Sequence, residues 1–119
     1  MQLSELEHHE KVALLALLGL MARLDGQVSG DELEVLRRVV SELDPDAFSR
    51  ASAEARNLPS SEAILQAAGE VTRTEAREII YELLFEMAME ESIVEREREL
   101  LDWLTKAWQL PGREGASDA

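Results

Sequence analysis

Apolar residues recur along this chain three, four, seven and eleven positions apart, with polar residues between them. A helix turns once in about 3.6 residues, so that spacing draws one face of an α-helix. No stretch alternates apolar and polar residues as a half-buried strand does. The pattern predicts six helices. The first starts after Ser4, with Glu7 three residues on as a capping box, and runs through Leu14, Leu15, Leu18 and Met21 to a stop near Asp25-Gly26. The second starts after Ser29, again with a Glu three residues on (Glu32), and ends near Leu43. Asp44-Pro45 reads as N-cap and first-turn proline of a third helix reaching about Asn57. Pro59-Ser60-Ser61 opens a fourth that ends near Gly69. Thr72 and Glu75 form the capping box of a long fifth helix through Ile79, Ile80, Leu83, Leu84 and Met87. The sixth runs from about Val94 to Leu110, where Pro111-Gly112 stops it.

The predicted fold is therefore all-α: a compact bundle of about six helices, built from two pseudo-repeated helical hairpins joined by short helices. One domain spans residues 1–110, and residues 111–119 read as a flexible tail. The repeat emerges on a shift of 65 residues. Leu14, Leu15 and Leu18 then meet Ile79, Ile80 and Leu83, and Val35, Leu36 and Val39 meet Leu100, Leu101 and Leu104. Asp25 meets Glu90, and Glu32 meets Glu97.

Those four acids change the picture. Asp25 lies 4, 7 and 11 residues after Met21, Leu18 and Leu14, so it continues the apolar stripe of the first helix. Glu90 continues the stripe of Met87, Leu83 and Ile79. Glu32 and Glu97 precede the stripes of the second and sixth helices by the same intervals. Two packed hairpins would gather four carboxylates at one end of the bundle. Left unpaired, they repel one another and raise their own pKa values, and a divalent cation relieves that repulsion. Oxygen-only ligands favour calcium, magnesium or manganese over zinc. The plainer reading of the same residues is capped, solvated helix ends: Glu32 already serves Ser29, and acids in a first turn suit the helix dipole.

Charge narrows the partners. Among 119 residues, 25 Asp and Glu stand against 12 Lys and Arg, a formal charge of -13. Such a chain repels nucleic-acid phosphate and anionic lipid. With no cysteine, disulfides, thiol nucleophiles and cysteine-ligated metals are out. The apolar run 12–22 is too short to span a membrane, and Glu5, Glu7 and Glu10 before it do not suit a signal peptide. A cytoplasmic protein is the expectation.

Other constellations are weaker. Gly26 and Glu32 match the sixth and twelfth positions of an EF-hand loop, but Met21 and Arg23 then occupy the first and third, which excludes that loop. Glu78, Glu82 and Glu86 read as a solvated face, or as an acidic surface for a basic protein partner. Glu5-Leu6-Glu7-His8 holds a single Glu-x-x-His in a first turn, where a di-iron bundle needs two in mid-helix. Trp103 and Trp108 read as core and core edge. No catalytic constellation is present, so the chain reads as non-enzymatic.

The stretch from Leu17 through Asp25-Gly26-Gln27-Val28-Ser29 to Glu32 resembles the signature hairpin of the tellurite-resistance TerB-like family. Met89-Glu90-Glu91-Ser92-Ile93 through Glu97 is similar to the family's second copy, with Glu90-Glu91 in place of Asp-Gly. The resemblance covers roughly residues 10–110. It implies an all-α fold of two related hairpins, a link to tellurite and other chemical stress, and a metal site at Asp25, Glu32, Glu90 and Glu97. The expectation is a non-enzymatic domain binding a divalent cation through these acids. The alternative is a metal-free acidic module that docks a basic protein.

Overall fold

Residues 12–22 are apolar on every side of a helical wheel. A helix made of them cannot leave a whole face in water. In the structure, a computed structural model, they form the middle of α1 (His8–Asp25), which becomes the central element. The structure describes residues 2–25, 30–89 and 95–110, with side chains for all of these except 24, 25, 30–33, 35, 36, 88, 89 and 95–97. Around α1 stand α2 (Gly30–Glu42), α3 (Pro45–Arg56), α4 (Ser61–Gly69), α5 (Thr74–Met89) and α6 (Glu95–Trp108). A short 3-10 turn at Leu3–Glu5 precedes α1. Among the described residues there is no strand, so the all-α bundle stands. None of these helices is long and apolar enough to cross a membrane. The radius of gyration, 13.4 Å, is what a folded chain of this length has.

α1 packs most extensively against α3 and α4, and also against α5 and α6. Leu14, Leu17, Leu18 and Met21 of α1 are fully buried, joined by Ile80 and Leu84 of α5, Leu104 of α6 and Val39 of α2. Each such side chain contributes about 1.5–3 kcal/mol by leaving water. α2 lies against α5 and the 3-10 turn.

Two helix starts follow the sequence reading. The Asp44 carboxylate accepts from the Ala47 amide at 3.2 Å ahead of Pro45, and the Ser60 hydroxyl accepts from the Ala63 amide at 3.1 Å. Each satisfies an amide that the first turn leaves without a helical partner.

Other expectations are corrected. The first helix does not start after Ser4. The chain makes its 3-10 turn there, with the Gln2 amide donating to Glu5 at 2.9 Å, and α1 begins at His8. The capping glutamate is Glu10, whose Oε1 accepts from the Glu7 amide at 2.7 Å. Leu3 and Leu6, on either side of that turn, are both buried. The fifth helix begins at Thr74, and Arg73 rather than Thr72 takes the cap position, its carbonyl accepting from the Arg77 amide at 3.0 Å. The sixth ends at Trp108, ahead of Pro111-Gly112. Gln109 takes a left-handed φ of 51°, and the Leu110 amide donates back to the Thr105 carbonyl at 3.2 Å. That reversal is a Schellman closure with glutamine where glycine is usual. It buries Leu110.

The tryptophans exchange places. Trp108 is 2% exposed and its indole N–H donates to the Ala68 carbonyl at 2.9 Å, whereas Trp103 is 39% exposed. Glu86 is not merely solvated, since Arg38 of α2 pairs with it. The tail at 111–119 lies outside the described residues.

Candidate functional site

Three polar contacts fix the direction of the helices. Arg38 of α2 pairs with Glu86 of α5, and a cleft of about 200 Å³ between these helices is bordered by Arg38 and Glu42 on one side and Glu82 and Glu86 on the other. Moving four residues on in α2 therefore means moving four residues back in α5, so the two helices are antiparallel. The first residue of α2 and the last of α5 fall at the same end. At the opposite end, the Arg77 guanidinium near the start of α5 donates to the Val71 carbonyl at 2.8 Å and to the Trp108 carbonyl at the end of α6 at 3.4 Å. Asp25 and Gly30 are five residues apart and Met89 and Glu95 six. Connected ends so close in sequence stay within about 20 Å of each other. The end of α1, the start of α2, the end of α5 and the start of α6 thus share one end of the bundle.

Three of the acids singled out above belong to helix residues at that end. Asp25 is the last residue of α1, Glu32 the third of α2 and Glu97 the third of α6. Their side chains, and Glu90 entirely, lie outside the described residues. The backbone brings the three helix positions to one end.

The buried charge of the described molecule sits elsewhere. The Glu10 side chain is 1% exposed and meets Arg73 in a two-pronged pair: Nε donates to Oε2 at 2.9 Å, and Nη2 donates to Oε1. Nη2 also donates to the Glu5 carbonyl at 3.1 Å. A buried carboxylate is costly unless such bonds compensate it. The Arg73 hydrogen bonds hold the Glu10 pKa below the ordinary carboxylate value. Burial opposes them, and the Glu7 amide adds to them. The pair raises the Arg73 pKa in turn. The contact ties the start of α1 to the start of α5.

Glu7, His9 and Glu10 bring ligand-type atoms within 4.8 Å of one another. Both Glu10 oxygens already accept from Arg73, so a cation there would face a guanidinium across the same carboxylate. This grouping is an ion pair with a helix cap. The Glu5 and His8 of the Glu-x-x-His run separate: Glu5 caps the 3-10 turn, and His8 Nε2 lies 2.6 Å from Glu54 of α3.

Sequence reasoning passed over Glu10. Yet it precedes Leu14, Leu17, Leu18 and Met21 by 4, 7, 8 and 11 residues, the same rule that selected Glu32. Nothing in the sequence marks Arg73 as its partner, because that contact depends on where α5 begins. Comparison with protein-family models, with curated proteins and with solved structures returned no match.

Proposed function

We propose that this chain is a non-catalytic TerB-like domain that takes a divalent cation at the end of the bundle carrying Asp25, Glu32, Glu90 and Glu97. The observation that supports it is the helix polarity, which collects the end of α1 and the starts of α2 and α6 on one side. Carboxylates gathered on neighbouring helix ends repel, and an oxygen-seeking cation offsets the repulsion. The family resemblance extends the proposal to a stress response of the tellurite type, in the cytoplasm.

Thermal melts test it. Chelated protein is compared with protein in calcium, magnesium, manganese or zinc, beside Asp25→Asn and Glu97→Gln. Wild type should gain roughly 2.7 kcal/mol at about 100 times the dissociation constant of the preferred metal. Each variant should be more stable than wild type in chelator and should lose the metal-dependent gain. A flat response of wild type to all four cations sinks the reading.

One observation favours a second reading, a metal-free module for a basic protein. Phe85 of α5 and Trp103 of α6 are 42% and 39% exposed, on the helices that carry exposed Glu78, Glu82, Glu99 and Asp102. Aromatic anchors within a field of acids suit a basic, partly apolar partner. Such binding would weaken with salt and persist in chelator.

A further inference from the structure

The bundle is open between α1, the later part of α2, α3 and α4. A groove of about 440 Å³ lies there, within the span of small-molecule sites, roughly 300–1,000 Å³. Its apolar wall comes from Leu15 and Leu18 of α1, Val39 and Val40 of α2, Phe48 of α3 and Ile64 of α4.

Three features set it apart from a packing defect. Gly19 lines it from the middle of α1, where glycine weakens a helix. An added Cβ would meet nothing within 4 Å, so no neighbour demands the glycine, and a side chain there would occupy groove. The second feature is charge. The whole chain holds 25 acids against 12 bases, yet among the described residues the charged side chains lining the groove are Arg23 and Arg56, with no acid beside them. Third, both arginines are exposed, and neither has an ion-pair partner among the described residues.

We propose that the groove binds a medium-chain fatty acid. Its hydrocarbon tail lies against the apolar wall over Gly19, and its carboxylate is held by an arginine of the rim, Arg23 or Arg56. Guanidinium–carboxylate bonds are charge-assisted and directional. The net charge selects the size of the anion. A chain at -13 repels a multiply acidic protein at long range, while a ligand with one negative charge meets the least repulsion. A basic partner would meet two arginines.

The experiment titrates decanoate, below its micellar concentration, into isotope-labelled protein and follows backbone amide shifts. Shifts should centre on Gly19, Ala22, Val40 and Ala55. Decan-1-ol, with the same tail and no charge, should bind at least about tenfold more weakly, and the Arg23→Gln/Arg56→Gln double variant should lose a similar factor for decanoate. Gly19→Leu should abolish binding with the helical circular dichroism unchanged. The arginine variants alter exposed side chains and keep the test decisive if Gly19→Leu misfolds. The proposal is overturned by an absence of groove shifts at millimolar decanoate, by equal affinity for alcohol and acid, or by unchanged affinity in the double variant. A dimer in sedimentation that Gly19→Leu breaks would overturn it too, making a second copy of the chain the occupant.

Discussion

Glu10 is the most constrained charge among the described residues. It stays ionised inside because two nitrogens of Arg73 and the Glu7 amide all donate to it. Its pKa in the folded protein lies below that of an unfolded glutamate, near 4.3. The pair therefore stabilises the fold in full above that value, and the contribution is lost as pH falls through the folded pKa. Glu10→Gln should be less stable than wild type at neutral pH, and the gap should close as pH drops below about 4. Urea melts across that range measure it. A gap that stays constant down to pH 3 would mean that ionisation of Glu10 contributes nothing. Gln109 carries strain of another kind. A β-carbon at a left-handed φ of 51° is unfavourable, and glycine relieves it. Gln109→Gly should raise stability by about 0.5–1 kcal/mol, whereas Gln109→Ala should not. Equal effects of the two would refute the strain.

At the scale of elements, what the sequence revealed depended on how local each signal was. The caps of α3 and α4 were legible because Asp44 and Ser60 bond amides three residues away. The starts of α1 and α5 were set a few residues early, and the Glu10–Arg73 contact that ties them together spans 63 residues, beyond any local signal. The tryptophans were misjudged for a related reason. Both fit an apolar spacing, but among the described residues Trp108 alone finds an acceptor, on Ala68. The candidate cation end was legible as far as helix positions go, since Asp25, Glu32 and Glu97 follow from periodicity and turn signals. The groove had no sequence signal: Arg23, Gly19 and Arg56 acquire meaning when α3 is laid across α1.

At the scale of the molecule, a charge of -13 on a body measuring 43 × 30 × 27 Å sets a background of repulsion. Sodium chloride at about 0.5 M shortens the screening length to roughly 4 Å, so it should raise the melting temperature of chelated protein. Exposed pairs such as Arg38–Glu86 weaken in salt, but such pairs contribute at most about 1 kcal/mol each. A melting temperature that falls with salt would mean that attractive pairs outweigh the net field. The central place of α1 has a further consequence in time. α1 leaves the ribosome before α5 and α6, which help to cover it. At roughly 5–20 residues per second, the interval between the end of α1 and the end of α6 is about 4 to 17 seconds. For that time the most apolar segment of the chain stands without its full cover, and a chaperone meeting the nascent chain would find its binding site in residues 12–22.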